Sequence, residues 1–251
     1  ISEAELAKGI KARKAELGDR VVILGHHYQT DEVIQHADFT GDSLKLSQTA
    51  AKVIGERPGD DKRYILFCGV HFMAETADML TPEHVSVILP DLSAGCSMAD
   101  MADYDDAVLA WETLHAALAG DDIHAAAAKG AKKAKPSKAK APAKPSAPAW
   151  HGRIIPITYI NSTAAIKAFV GERGGAVCTS SNAKLVLEWA LAGGTVPKAK
   201  GEQIKILFLP DQHLGRNTAA SLGYDVASAT ALYDPRLASK GEALGGMTVE
   251  Q

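Results

Sequence analysis

The feature that most constrains the fold is an alternation of short apolar runs with amphipathic stretches. RVVILGHHY (20–28) and RYILFCGV (63–70) are continuous apolar runs, which are typical of strands buried on both faces of a parallel sheet. DSLKLSQTAAKVI (42–54) has helical spacing, with Asp42 or Ser43 as the residue that begins the helix. The alternation predicts an α/β fold with three layers, in which helices cover both faces of a parallel sheet.

The same alternation continues along the rest of the chain. By the same criteria, further strands are expected at 84–91, 152–162, 174–180 and 203–211, and further helices at 74–80, 163–169, 181–194 and 214–223. Strand and helix patterns succeed one another on both sides of a lysine-rich stretch, so the fold is expected to continue across it.

One ordered set of features occurs twice, which indicates a duplicated α/β unit. Each copy has a strand that ends in tyrosine, a serine at a helix start, and a strand containing ILF that leads through a histidine into a helix. In order, the matching features are Tyr28 and Tyr159, Ser43 and Ser180, and the ILF triplets 65–67 and 206–208. Two copies of one unit predict a ligand site between them.

A lysine-rich stretch interrupts the second copy. The 251-residue chain has a formal net charge of −3, yet seven lysines and no acidic residue lie between Lys129 and Lys144. Residues from about 121 to 149 consist mainly of Ala, Lys and Pro and offer few large apolar side chains to a core, so a disordered insertion is expected. A solvated linker is the preferred interpretation, and an arm for nucleic acid or an acidic surface is the alternative.

Composition also bears on the cellular compartment. No run of about 18 apolar residues is present, and the first residues lack the charged-then-apolar pattern of a secretory signal. Three cysteines do not make a disulfide framework. These features predict a cytoplasmic protein without a membrane span, in which an isolated cysteine is buried, reactive or a metal ligand.

Polar residues gather where predicted strands end. His26, His27 and Tyr28 follow one buried run, and Tyr159 and Asn161 end another. In open parallel sheets the carboxyl ends of the strands face the ligand crevice, so these residues are candidates for binding or proton transfer. The alternative for the histidines is that one caps the sheet and the other is solvated.

Hydroxyl groups are expected on the first turns of two helices. TGDSLKLS contains Ser43 and CTSSNAKL contains Ser180. Free backbone N–H groups and the helix dipole favour an anion at such a place, so a phosphate or carboxylate is the expected ligand. Ordinary helix capping by each serine is the alternative.

Seven motifs, taken in order, resemble one family. GHHYQ, GDSLKLS, CGVHFMAETADML, PDLSAGCSMADMA, YINSTAAIKAF, CTSSNA and LFLPDQHLGRNTA are similar to quinolinate synthase, across nearly the whole chain outside the lysine-rich stretch. The resemblance implies three similar α/β domains around a pseudo-threefold axis. Two of them are expected here, at 1–98 and 99–251, with the third domain absent.

The resemblance also implies a reaction. Quinolinate synthases condense iminoaspartate with dihydroxyacetone phosphate in NAD biosynthesis, and they use a [4Fe–4S] cluster. The implied partners are these two small molecules and an enzyme that supplies iminoaspartate, either L-aspartate oxidase or aspartate dehydrogenase. Neither a membrane nor a nucleic acid is implied.

Site residues follow from the resemblance position by position. Cys96, in the AGC motif, is the implied first thiolate of a cluster that three cysteines hold, which leaves one iron open as a Lewis acid. Motifs that carry the family's other two ligands are absent from this sequence, and Cys68 and Cys178 are left unassigned. The implied catalytic residues are His26, Tyr28 and Tyr159, and the implied substrate-binding residues are His26, Ser43, Tyr159, Asn161 and Ser180.

Two alternatives to an active quinolinate synthase stay open at this point. The first is a truncated, inactive remnant that only binds a phosphorylated small molecule. Without the resemblance, the α/β repeat and the lysines would also suit a phospho-ligand binding module with a nucleic-acid arm.

Overall fold

A computed structural model describes residues 1–55, 62–119, 150–242 and 244–248. The insertion predicted at about 121–149 lies outside the described residues. The chain divides into two compact units, Ile1–Ala99 and Asp100–Gln251, called here the first and the second unit. None of the helices within the described ranges is both long and apolar enough to cross a membrane.

The first unit contains a four-stranded sheet in which all pairings are parallel. The strand order is β2-β1-β3-β4, so the first strand of the chain lies at the centre of the sheet. Its elements are α1 Glu3–Leu17, β1 Val21–His26, α2 Asp31–Ile34, β2 Phe39–Gly41, α3 Ser43–Gly55, β3 Arg63–Cys68, α4 His71–Met79 and β4 Val85–Ile88.

Helices cover both faces of this sheet. On one face, Val22 and Leu24 of β1 pack with Ile65 and Phe67 of β3 against side chains of α3 and α4. Successive side chains of a strand point to opposite faces, so Gly25 faces the other way. A Cβ at Gly25 would meet the Ile34 side chain of α2. The unit therefore has three layers.

The second unit repeats this arrangement with three strands. The strand order is β6-β5-β7, again with parallel pairings. Its elements are α5 Tyr104–Ala119, β5 Gly152–Tyr159, α6 Ala164–Glu172, β6 Ala176–Cys178, α7 Ala183–Leu191, β7 Gln203–Leu209, α8 His213–Ser221, α9 Val226–Ala229 and α10 Pro235–Ala238.

Two apolar clusters lie on the two faces of the second sheet. On one face Ile155 and Ile157 of β5 pack with side chains of α7 and α8. On the other, Leu209 at the end of β7 packs with Phe169 of α6 and Ala107 of α5. The predicted α/β class with parallel sheets and helices on both faces is therefore confirmed.

Six elements in the described residues were not expected from the sequence: α1, α2, β2, α5, α9 and α10. β2 has three residues, and α2, α9 and α10 have four each, too few to show a period. α1 has no buried residue, and the fully buried positions of α5 are Ala107, Ala110 and Thr113. Neither helix fully buries a large apolar side chain, although Val108 and Trp111 of α5 are partly buried against the core. Full burial in α5 falls on small residues, which give a sequence prediction little apolar contrast.

Strand pairing fixes which positions of the two units correspond. Val22 pairs with Ile65, the first residue of one ILF triplet, and Ile155 pairs with Ile206, the first residue of the other. Four residues later, His26 pairs with Gly41 and Tyr159 pairs with Cys178. His26 therefore corresponds to Tyr159, and two residues on, Tyr28 corresponds to Asn161. The predicted match of Tyr28 with Tyr159 is wrong by two residues because it aligned like residue types rather than register.

Candidate active site

In the first unit, an aromatic cluster lies at the carboxyl end of β1. The His26 side chain is buried, whereas His27 and Tyr28 are exposed. The His26 ring centroid lies 4.2 Å from that of His27 and 4.0 Å from that of Tyr28. His26 Nδ1 is 3.5 Å from the Tyr28 backbone nitrogen, and His27 Nδ1 is 3.1 Å from the Gly41 carbonyl oxygen. The predicted gathering of polar groups at this strand end is therefore present.

Burial sets the protonation of this cluster. Desolvation lowers the pKa of His26, the neighbouring His27 lowers it further, and Asp42 opposes the shift. Desolvation also raises the pKa of Tyr28, with a smaller contribution from Cys96. At neutral pH the cluster thus offers a neutral imidazole beside a protonated phenol, a pair that can accept and donate a proton.

Cys96 lies in the loop that follows β4. Asp91 organises this loop, since its Oδ1 accepts from Ser93 N at 2.9 Å and from Ser93 Oγ at 2.6 Å. The His71 backbone N–H, at the start of α4, donates to the Ala94 carbonyl oxygen at 2.9 Å and ties the loop to the helix. Cys96 itself is partly buried against the core of the first unit.

The three cysteines of the chain, Cys68, Cys96 and Cys178, differ in their surroundings. Among the described residues, no group of three or more His, Cys, Asp or Glu side chains could hold a metal ion. Burial raises the pKa of the Cys68 thiol. It also raises the pKa of Cys178, which is 1% exposed in the second core, to about 11. Thiolates are the ligands of iron–sulfur clusters, and the described residues do not form a complete cluster site.

Ser43 is the first residue of α3, as expected, but it does not cap the helix. Asp42 Oδ1 accepts from the Lys45 backbone N–H at 2.9 Å, which makes Asp42 the capping residue. Within the described part of the chain, no hydrogen bond of the Ser43 hydroxyl is found, and the side chain is half-buried. Its hydroxyl is therefore available to a ligand at the positive end of the helix.

In the second unit, Tyr159 and Asn161 lie in the turn that ends β5. Both side chains are half-buried, and Ile160 between them is buried. The Ile160 backbone N–H donates to the Cys178 carbonyl oxygen at 2.8 Å, and Ser162 Oγ donates to the Tyr159 carbonyl oxygen at 2.9 Å. The turn is thus held by the neighbouring strand and by a buried hydroxyl.

Ser180 is not on the first turn of a helix, contrary to expectation. It is exposed and lies in a turn, and α7 begins three residues later, at Ala183. Asn182 organises this turn, because its Oδ1 accepts from the Thr179 backbone N–H at 2.6 Å and from Thr179 Oγ1 at 3.1 Å. Ser180 still corresponds in register to Ser43, since each lies two residues after the paired positions Gly41 and Cys178.

One buried polar residue beside the turn that ends β5 was not identified from the sequence. Lys167 of α6 is 8% exposed, and its Nζ donates to the Ser162 carbonyl oxygen at 2.7 Å. The available signal was its place between Ile166 and the apolar pair Phe169 and Val170, on the buried side of the helix.

Similarity to known proteins decides the family. A family profile described as Quinolinate synthetase A protein matches residues 8–234. The chain belongs to this family. Proteins named quinolinate synthase from Corynebacterium glutamicum and from Bacillus subtilis strain 168 are each 48% identical to it, over 250 and 235 residues.

The match to these members of the quinolinate synthetase A family covers all or nearly all of the chain but only about half of each relative. The alignments include 100% and 94% of this chain, and 50% and 51% of the Corynebacterium and Bacillus proteins. A quinolinate synthase from Nocardioides is also 48% identical, over 253 residues, with 52% of its length covered. The chain therefore spans about half the length of the curated relatives it matches.

Proposed function

We propose that this chain supplies two α/β units of a quinolinate synthase, which condenses iminoaspartate with dihydroxyacetone phosphate and releases phosphate and water. Membership of the family supports the reaction class. The observation that carries the proposal is the pair of a buried, neutral His26 and a protonated Tyr28 at the carboxyl end of the central strand, with Cys96 close enough to affect the pKa of the phenol.

His26 and Tyr28 are assigned to substrate binding and proton transfer in the first unit. A condensation followed by dehydrations needs a group that removes a proton and a group that returns one. A neutral imidazole serves the first purpose and the Tyr28 hydroxyl the second. The Ser43 hydroxyl, on the first turn of α3, donates to an anionic oxygen of a substrate.

Tyr159, Asn161 and Ser180 are assigned to the substrate in the second unit. The Tyr159 hydroxyl and the Asn161 amide both offer hydrogen bonds to carboxylate or carbonyl oxygens. Ser180 is exposed in a turn of polar side chains, and its hydroxyl donates to a phosphate or carboxylate. Iminoaspartate would come from an L-aspartate oxidase or an aspartate dehydrogenase.

Cys96 is assigned as one thiolate ligand of a [4Fe–4S] cluster that is completed by groups outside the described residues. The partly exposed position of Cys96 in a loop fits this role, whereas the core position of Cys178 does not. When bound, such a cluster with an open iron supplies Lewis-acid chemistry.

A second function is an inactive remnant that only binds a phosphorylated small molecule. Ser43 on the first turn of α3 and Ser180 in a polar turn offer hydroxyls to a phosphate without any contribution from a cluster. This second function differs from the first proposal in one respect: the hydroxyls at Ser43 and Ser180 would still bind phosphate, but no product would form.

An activity assay separates the two. The protein expressed from its whole reading frame is purified without oxygen and given dihydroxyacetone phosphate with iminoaspartate generated in place by L-aspartate oxidase. Quinolinate that forms only when both substrates are present supports the synthase. Absence of quinolinate, together with saturable binding of dihydroxyacetone phosphate to the 251-residue chain in a calorimetric titration, would establish the remnant instead.

A further inference from the structure

Lys167 is a buried cation beside the turn that carries Tyr159 and Asn161. It lies in the first turn of α6, four residues after the capping residue Thr163, whose side chain accepts from the Ile166 backbone N–H. Its side chain is 8% exposed, and its Nζ lies 2.7 Å from the Ser162 carbonyl oxygen. The ammonium group is therefore directed at the backbone of the turn.

A lysine at this position is unfavourable for the fold on two grounds. Removing an ammonium group from water is costly even when it is hydrogen-bonded. The first turn of a helix is also the positive end of its dipole, where a cation is disfavoured. An apolar side chain would avoid both costs, but it could not donate to the Ser162 carbonyl oxygen.

The first unit provides an internal reference for this position. Thr30 and Thr163 are the capping residues of α2 and α6, and their φ and ψ angles agree, at −68° and 159° for Thr30 and −67° and 160° for Thr163. Each lies four residues after the corresponding strand ends, His26 and Tyr159. Lys167 therefore corresponds to Ile34, so an aliphatic side chain at this place is compatible with the architecture.

The hydrogen bonds of the turn show what the lysine adds. The Lys167 ammonium holds the Ser162 carbonyl, and the Ser162 hydroxyl, which is buried, holds the Tyr159 carbonyl at 2.9 Å. The turn from Tyr159 to Ser162 is thereby fixed at its last residue by a side chain from the following helix. In the first unit Ile34 has no donor to offer at the corresponding place.

We propose that Lys167 is a positioning residue, which fixes the turn 159–162 so that the Tyr159 hydroxyl and the Asn161 amide are held ready for a substrate. This inference rests on the proposed function of these two residues. It predicts that replacement of Lys167 loosens the turn and impairs substrate binding without unfolding the unit.

The test compares Lys167→Ile, which copies the first unit, with Lys167→Arg, which keeps charge and donors. Lys184→Ile is the matched control, because Lys184 is an exposed lysine in the first turn of α7. Amide hydrogen exchange of a peptide spanning 159–163 is measured in the 251-residue chain. Steady-state kinetics of quinolinate formation and thermal melts are measured in the whole protein.

For Lys167→Ile we expect faster exchange in the 159–163 peptide and a fall in kcat/KM of roughly 10- to 100-fold, chiefly through KM, because small misplacements of binding groups have effects of this size. The cooperative melt should be kept, and Lys167→Arg should restore much of both properties.

Unchanged exchange and kinetics in Lys167→Ile would overturn the proposal, as would equal effects of Lys184→Ile. If Lys167→Ile does not fold, the KM and the amide exchange of Lys167→Arg are compared with those of the wild type. Wild-type values of both would support the role of the charge, and a wild-type exchange rate with an altered KM would contradict a role in fixing the turn. Since exchange is measured without turnover, inactivity of the wild type would refute the proposed function and leave the positioning role still measurable.

Discussion

The two units have one architecture and different chemistry at the same positions. In both, a central strand pairs with a short strand on one side and with the ILF strand on the other, all parallel. At the carboxyl end of the central strand, the first unit presents a buried imidazole in contact with a phenol, with ring centroids 4.0 Å apart. The second presents a backbone turn that is held by a hydroxyl and a buried ammonium group.

Strand register shows where the units diverge. Corresponding residues that differ in kind include Gly25 and Thr158, His26 and Tyr159, Ile34 and Lys167, and Gly41 and Cys178. The first three pairs lie at the end of the central strand or in the helix that follows it. The shared architecture therefore accommodates different side chains at these positions.

The largest expected difference between the units concerns their cysteines. Cys96→Ser in the whole protein should remove most of the bound iron and the charge-transfer absorbance, because the loop thiol of the first unit is the proposed ligand. Cys178→Ala should keep both, because the thiol of Cys178 is buried in the second core and has a pKa of about 11. Iron analysis and absorbance after anaerobic reconstitution provide the measurement. A full cluster in Cys96→Ser would remove the distinction.

The Cys178 thiol should also make the second unit sensitive to alkali. Burial raises its folded-state pKa from 9.0 to about 11. Between these pH values the unfolded chain releases the proton and the folded chain keeps it, so stability is full below pH 9 and falls as the pH rises towards 11. At about 1.4 kcal/mol per pH unit, the loss reaches roughly 2–3 kcal/mol at pH 11.

Urea unfolding of the wild type and of Cys178→Ala at pH 8 and pH 11 measures this contribution. The wild type should lose about 2–3 kcal/mol more than the variant on going to pH 11. Equal losses in the two proteins would mean that the thiol ionises as readily in the folded state as in the unfolded state.

The serines at corresponding places should bind ligand rather than stabilise helices. Ser43→Ala and Ser180→Ala should each weaken binding of dihydroxyacetone phosphate or of a dicarboxylate by roughly 10- to 100-fold, the value of a charge-assisted hydrogen bond. Asp42→Ala is the contrasting variant, because Asp42 caps α3, and it should lower stability by about 1 kcal/mol. Calorimetric titrations and thermal melts of the whole protein separate the effects. Unchanged affinities in both serine variants would refute the anion-binding role.

The smallest expected effect concerns packing under the central strand. A Cβ at Gly25 would lie 2.7 Å from Ile34 Cδ1 and 3.1 Å from Ala37 Cβ, whereas the corresponding Thr158 is accommodated in the second unit. Gly25→Ala should therefore destabilise the protein by about 1 kcal/mol, at the low end for overpacking, since Ile34 Cδ1 is the end of a flexible side chain. Gly9→Ala is the control: its Cβ meets nothing within 4 Å in α1, and it should stabilise by up to about 1 kcal/mol. A stabilising Gly25→Ala would contradict the close packing.

The sequence predicted the parts of the molecule that depend on apolar periodicity. The ILF strands and the helices after them were placed because buried strands and amphipathic helices have distinct periods. β2 and α2 were missed because they are short, and the correspondence of His26 with Tyr159 depends on strand register, which residue types do not reveal. The position of Ser180 outside α7 depends on the Asn182 side chain, and the burial of Lys167 on the packing of α6.

The central claim is that the strand ends of both units act in one reaction. The most direct measurement is kcat/KM for quinolinate formation by the whole protein carrying Tyr28→Phe or Tyr159→Phe, which remove one hydroxyl from each unit, with the exposed Tyr224 changed to Phe as the control. We predict that Tyr28→Phe loses roughly 10²- to 10⁴-fold, the range for groups that transfer protons, and that Tyr159→Phe loses roughly 10- to 100-fold, the value of a charge-assisted hydrogen bond to the substrate. Both variants should keep the wild-type melting temperature, and the control should keep wild-type activity. Wild-type activity in either Tyr28→Phe or Tyr159→Phe would contradict the claim.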